Sequence, residues 1–471
     1  MSVLEDRGYF WWSEEAAQPG RFAPDTAVSG TLKIRDDGTS HLELDGFLGS
    51  LTEGVTGLLD YGANVGDISG FLKNRNCQVL LCGVSTAGGR FSSRGVSYPS
   101  YLALDCLVGQ DPEGGKIDPT ALNFVEVDLD GLEDWLRLAS IKGKETKTGS
   151  VTIKFKKQRS AAYKVGNERL QFIYGFERPY LGAGGYNAIN IRETARIRVS
   201  SRRRFELDEA RRKFYSLSNL LSLLTGLNVR LAWPRLGNST KKLTCTLYSR
   251  GLQPTGPADS VSQQKCWFPY PSISQDFGSL YENWRSKSDE FGPGFYICLG
   301  SKRQSTIYVE SRFGNLISGL ESFHRTKFPS RNNAGLSAKV GRILQSVLPK
   351  DRRWLKQRLA YADEPSLADR IMEIIEQLPL GLDTKLVSAF AKGCADSRNE
   401  LSHFAGKRKS AQYDRFVDLL TSQTDALMNL YALAILHEIG VPSELLAARV
   451  REGYVGNRIM RSFSEVGLIP S

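Results

Sequence analysis

Ser397-Arg398-Asn399-Glu400-Leu401-Ser402-His403 sets an Arg five residues ahead of a His, with an Asn directly after the Arg. Ser397 and Glu400 fit a capping box, in which the Ser oxygen accepts the amide of the third helical residue and the Glu reaches back. That pattern predicts a helix beginning at Arg398, with Gly393 breaking whatever precedes it. On such a helix Asn399 and His403 share a face, and Arg398 in the first turn can swing toward it. First-turn amides favour an anion. Guanidinium, amide, imidazole and helix N-terminus would then converge where a phosphate can sit, while Leu401 and Phe404 pack into a core. An Arg and a His at loose spacing are common, however. Arg35 and His41 also fit, across Asp36-Asp37-Gly38, which reads as a hairpin turn.

The surroundings of the motif are helical. Phe313, Leu316, Ile317, Leu320, Phe323 and His324 fall on one face of a helix from about Thr306 to Lys327. Val340, Ile343, Leu344 and Val347 mark a second helix, and Trp354, Leu355, Arg358 and Leu359 a short third. Leu367, Ile371, Ile374, Ile375 and Leu378 mark a fourth, and Leu386, Val387 and Phe390 lead up to Gly393. After the motif, Phe416, Leu419, Leu420, Leu427, Leu430, Ala434, Ile435 and Ile439 line a long last helix, stopped by Gly440-Val441-Pro442. Amphipathic helices joined by short loops make a bundle.

Upstream the period is two. Gly30 to Ile34 and His41 to Leu44 alternate across the hairpin turn. Further strands are expected at Gln78 to Cys82, Tyr101 to Val108, Asn123 to Leu129, Ser150 to Phe155, Leu170 to Phe176 and Ile189 to Val199, with one short helix at Leu132 to Leu136. A helix from Leu207 ends at Thr225-Gly226. Short strands follow at Asn228 to Trp233 and Leu243 to Tyr248, then a loop from Gly256 to Ser274 that is exposed apart from Trp267-Phe268-Pro269, a helix near Phe277 to Trp284 and a strand at Gly294 to Leu299. The fold class is therefore α+β. A large antiparallel β-rich N-terminal domain, 1–300, is a sandwich or a twisted, partly closed sheet, and an all-α bundle occupies 301–471.

Composition limits the function. The chain has 471 residues, 41% hydrophobic and 10% aromatic, a formal net charge of +11 and a pI of about 9.2. That surplus suits a polyanionic partner. No apolar run approaches the ~18 residues that span a bilayer, and Met1 to Trp12 carries no signal-peptide core. A cytoplasmic protein with no membrane partner is expected. Seven cysteines without a C-x-x-C pair, and four scattered histidines, indicate neither disulfides nor a metal site. Gly182-Ala183-Gly184-Gly185 lacks the Lys-Ser or Lys-Thr of a phosphate loop. Basic patches lie at Arg202-Arg203-Arg204, at Lys154, Lys156, Lys157 and Arg159, and at Lys407-Arg408-Lys409.

An Arg-Asn-x-x-x-His ahead of a bundle's last long helix resembles the HEPN superfamily, whose nuclease motif is Arg, four to six residues, His. Gly319-Leu320-Glu321-Ser322-Phe323-His324-Arg325 looks like the opening helix of the ApeA branch, in which the bundle follows a large β-rich domain. Gly8-Tyr9-Phe10-Trp11-Trp12, Gly30-Thr31-Leu32 and Leu132-Glu133-Asp134-Trp135 are similar to that branch's N-terminal pattern. The resemblance implies an anti-phage, abortive-infection endoribonuclease that cleaves RNA without metal or other cofactor. Arg398, Asn399 and His403 would be its catalytic residues. His403 would move protons for 2′-OH attack, Arg398 would stabilise the phosphorane-like charge, and Asn399 would either hold His403 or contact the RNA backbone. One His per chain implies a homodimer or larger homo-oligomer with two motifs at one cleft. Glu321 and His324 are candidates to orient the motif, and Lys407, Arg408 and Lys409 to bind RNA (tRNA or mRNA). A phage-encoded trigger would release an off state held by the N-terminal domain. The alternative is a non-catalytic HEPN-type module that binds RNA or nucleotide, or only dimerises.

Overall fold

The computed structural model describes residues 2–15, 21–49, 64–90, 98–110, 116–128, 131–138, 140–156, 159–177, 190–229, 231–250, 252, 261–262, 264–303, 307–329, 334–359, 364–402 and 410–470. These form two compact units. One is Met1–Ser218 with Val229–Val261, and the other is Asn219–Asn228 with Ser262–Ser471. The expected boundary at 300 falls inside the second unit.

Six strands of the first unit close on themselves. They are β1 (Ser2–Trp12), β2 (Val28–Arg35), β3 (Ser40–Leu44), β4 (Asn64–Leu72), β5 (Cys77–Arg90) and β6 (Tyr98–Gln110). Hydrogen bonding runs β6-β3-β2-β1-β4-β5, and β5 pairs back onto β6. Alternation in β1 turns Leu4, Asp6 and Phe10 inward. They join Leu32, Ile34, Leu42, Leu44, Ile68, Leu72, Val79, Leu81 and Cys106 in a barrel core. Buried Asp6 is satisfied by the amides of Asn74 and Arg75 at 3.3 and 3.1 Å. The β2–β3 turn needs Gly38, whose φ is +84° and whose Cβ would lie 2.4 Å from the Ser249 carbonyl oxygen. Arg35 and His41 flank this hairpin, so that second Arg–His match is a turn and nothing more.

Strand β6 changes its partner along one edge. Ser100 to Ala103 pair with β3, whereas Asp105 to Gln110 pair with β14 (Leu243–Ser249). From there the sheet continues through β13 (Arg235–Asn238), β7 (Leu122–Val127), β12 (Arg192–Phe205) and β11 (Glu168–Glu177) to β10 (Ala162–Val165). A separate ribbon pairs β8 (Ile141–Glu145) with β9 (Val151–Phe155). Helix α1 (Leu132–Leu136) falls where its sequence pattern puts it and buries Trp135. Helix α2 (Leu207–Thr225) ends as expected at Gly226, φ +70°. The sheet is thus a closed barrel with an extension. The expected strand at Asn228 to Trp233 reduces to a single bridge at Leu231.

The second unit is helical. It contains α3 (Tyr270–Ile273), α4 (Phe277–Phe291), α5 (Pro293–Arg303), α6 (Val309–Lys327), α7 (Ala334–Ser346), α8 (Pro349–Arg358), α9 (Leu367–Glu376), α10 (Thr384–Ser402), α11 (Ser410–Glu438), α12 (Ser443–Arg451) and α13 (Gly453–Glu465). The expected strand at Gly294 to Leu299 is instead part of α5. Phe295, Cys298 and Leu299 are buried while Tyr296 is 45% exposed, which is helical spacing. A short apolar run does not separate a strand from a buried helix by itself. Nor is α11 the last helix, because α12 and α13 follow and α13 packs against it. Helices α5 and α6 approach closely: a Cβ on Gly294 would lie 2.9 Å from the backbone of Phe323.

Two lysines tie α4 and α6 to the end of α11. Lys327 Nζ lies 2.7 Å from Glu438, and Lys287 donates to its other oxygen. Burial alone raises the Glu438 carboxyl, but the hydrogen bonds from Lys287 and Lys327 outweigh it and hold it below its ordinary 4.5. The unfolded chain therefore takes up that proton first, and the stabilisation present above about 4.5 fades as pH falls through the lower folded value. Next to it, burial and then Lys327 push His437 below 6.5. The unfolded imidazole is protonated first there too, so stability begins to decline below about pH 6.5. Urea unfolding is expected to show both limbs, with Glu438→Gln removing the lower one. An unchanged profile in that variant would refute the assignment.

Candidate functional site

Helix α10 carries Arg398 and Asn399, but at its C-terminal end. Its buried stripe is Val387, Phe390, Ala391, Cys394 and Ser397, spaced by three and four residues. Ser397 is 3% exposed and ends that stripe, inside the helix, so it is not an N-cap. Gly393 sits inside the helix and does not break it. The expected capping box is therefore corrected, and with it the argument from a helix N-terminus: the helix starts at Thr384, about 21 Å along the axis from Arg398, so its first-turn amides are out of reach. A Cβ at Gly393 would meet only Gln423 Nε2 at 3.5 Å, an ordinary contact. Gly393→Ala is accordingly expected to stabilise the bundle by ~0.5–1 kcal/mol, read as a higher urea midpoint.

Arg398, Asn399 and Glu400 are exposed, and Ser402 Oγ donates to the Arg398 carbonyl at 3.0 Å. The Arg398 side chain makes no ion pair among the described residues. This leaves a guanidinium at the surface, with its charge not cancelled by any described carboxylate. His403, Phe404, Lys407, Arg408 and Lys409 lie outside the described residues, as do Lys157 and Gly182 to Gly185. The described groove lined by Leu386, Val450 and Leu468 lies at the opposite end of α10. Leu386 and Arg398 are some 18 Å apart along the axis, so that groove is not part of the motif.

Helix α6 places His324 in a polar chain that crosses to α9. His324 is 1% exposed. Its Nε2 lies 2.7 Å from Glu373 Oε2, and its Nδ1 lies 3.3 Å from Arg370 Nη1. A guanidinium has no acceptor, so Nδ1 accepts and the Nε2 proton points at Glu373. Arg370 Nη2 pairs with Glu364 at 2.5 Å, and its Nε donates to the Pro365 carbonyl at 3.1 Å. Arg325 reaches the same Glu364 at 3.4 Å. Glu321 is half-buried and makes no ion pair among the described residues.

Arg370, Glu373 and Glu364 escaped the sequence reading. A signal was present: Arg370 stands within the apolar stripe of Leu367, Ile371, Ile374 and Ile375, where a cation needs a buried partner. The true capping box lies just before it. Ser366 Oγ accepts from the Asp369 amide at 3.2 Å, and Asp369 accepts from the Ser366 amide at 3.1 Å. Among the described residues no group of three or more His, Cys, Asp or Glu is placed to hold a metal ion. No helix among them is long and apolar enough to cross a membrane.

A closed β-barrel with a sheet extension, followed by a helical unit that carries Arg-Asn ahead of its 29-residue helix α11, defines a β-rich domain joined to a HEPN-type bundle. Residues 6–284 match the family description ApeA N-terminal domain 1, and residues 315–445 match Apea-like HEPN. The chain belongs to the ApeA family of anti-phage HEPN proteins. No curated relative and no solved structure matches it.

Proposed function

We propose that the chain is an anti-phage endoribonuclease that cleaves RNA without a metal ion, by attack of the substrate's own 2′-OH. The observation that supports this most is the exposed Arg398 side chain on α10, which pairs with no described carboxylate and lies within the matched HEPN region. A guanidinium kept free of carboxylates is available to a phosphate, and it gains most when charge builds up in the transition state. Asn399 beside it either orients His403 or contacts the RNA backbone. His403 is the proton-transfer group, and near neutral pH it can serve as base or acid. One such His per chain favours a homodimer, so that two motifs supply base and acid to one scissile bond. The substrate is tRNA or mRNA, and a phage-encoded trigger releases the activity.

The test is cleavage of total RNA in EDTA by the full chain, with or without infected-cell lysate. His403→Ala and Arg398→Ala are each expected to lower the rate ~10²–10⁴-fold, and wild-type products to end in 2′,3′-cyclic phosphate. Equal cleavage by the variants would remove the assignment. RNA binding without any product would favour a non-catalytic module.

A further inference from the structure

The β8–β9 ribbon carries five lysines, Lys142, Lys144, Lys147, Lys154 and Lys156, against one acid, Glu145. Cross-strand partners share a face, and the register sets Lys142 opposite Lys154 and Lys144 opposite Thr152. Lys156 follows Lys154 by two residues, with its amide bonded to the Ser140 carbonyl at 3.0 Å. Four lysines therefore stand on one face. They are exposed, and none makes an ion pair among the described residues. Lys142 directly opposite Lys154 works against the ribbon's own pairing. Guarding a free edge would need only a single Lys.

The ribbon is nonetheless anchored. Phe155 packs on Phe176 with ring centroids 4.1 Å apart, and the Ser140 amide donates to Glu193 at 2.7 Å. Among the described residues each strand pairs only with the other, so the lysine face is presented by a short two-stranded arm.

We infer that this arm is a second RNA-binding surface, which grips the phosphate backbone without reading sequence. Lysines two apart on a strand are separated by ~6.6 Å, and opposite ones by ~5 Å. That spacing suits a repeating anion. Lys is a point charge and demands no forked carboxylate or phosphate geometry. The apolar face, with Val151 61% and Ile153 54% exposed, is turned away from the lysines.

The inference rests on the proposed RNA-cleaving function, so the test separates the two. Binding of a labelled RNA hairpin is measured with full-length His403→Ala protein, so that no turnover intrudes, across a series of salt concentrations. Adding Lys142→Ser, Lys144→Ser, Lys154→Ser and Lys156→Ser is expected to reduce the slope of log affinity against log salt by ~2–3. A control carrying Lys339→Ser, Lys350→Ser and Lys356→Ser should keep the slope. An unchanged slope in the ribbon variant, an equal loss in the control, or capture of polyglutamate with no RNA binding would each overturn the inference. The last of these would point to an acidic protein partner. Binding lost in the ribbon variant, in a chain whose wild type never cleaves, would sink the nuclease reading and leave the ribbon standing.

Discussion

Arg370→Ala is expected to cost the helical unit ~3–5 kcal/mol, because it removes one partner of a buried charged network and leaves the others in place. The guanidinium is 5% exposed and serves three acceptors at once: Glu364, the Pro365 carbonyl and His324 Nδ1. Without it Glu364 keeps only the longer, more exposed contact to Arg325, and His324 loses the donor that sets its tautomer. Arg370→Lys should rescue little, because one ammonium cannot reproduce the fork. The readouts are the urea midpoint and the imidazole nitrogen shifts, which in wild type should report the Nε2–H form. A loss under ~1 kcal/mol would show that the chain from Arg325 to Glu373 behaves as a surface network. If the proposed function holds, cleavage should fall beyond what lost folding explains only where His324 also positions the motif.

Gly226→Ala should be about as damaging, by a different route. Gly226 ends α2 with φ +70°, and a Cβ there would sit 2.0 Å from Trp267 Cδ1 and 2.2 Å from its Nε1. A left-handed residue with a side chain costs ~1–2 kcal/mol, and overpacking adds ~1–3 kcal/mol. Trp267 has little room to retreat, since its amide donates to the Thr225 carbonyl at 3.0 Å and Lys302 Nζ lies 5.6 Å from its ring centroid. Gly226→Ala combined with Trp267→Leu should recover part of the loss. If the double variant were no better than the single, backbone strain alone would be responsible.

The helices with the strongest stripes were legible within a few residues. The fourth bundle helix and the long one ending at Gly440 follow from Ile371, Ile374 and Ile375, and from Leu427, Leu430 and Ala434. The start of the motif helix is not legible locally, because two Ser-x-x-acid signatures look alike. Ser366 caps the helix that starts at Leu367, with its side chain accepting from the Asp369 amide. Ser397 continues the stripe of Phe390 and Cys394, so the helix runs through it. Extending the stripe upstream would have separated them. The motif marks Arg398 and Asn399, but not their place far along a helix that starts at Thr384.

By itself the sequence determined the division into a β-rich part and a helical part, the hairpin at Gly38, the end of α2, the surplus of basic charge and the family. These rest on local backbone preferences and on apolar periodicity, which a short window contains. Only the tertiary structure decided that β6 stays paired with β5 along one edge while its other edge passes from β3 to β14. Only the tertiary structure brought Arg370 onto His324, 46 residues away. A strand presents the same amides to any partner, and a buried cation finds its acceptor through packing. Both outcomes depend on which distant surfaces meet, and no local pattern records that.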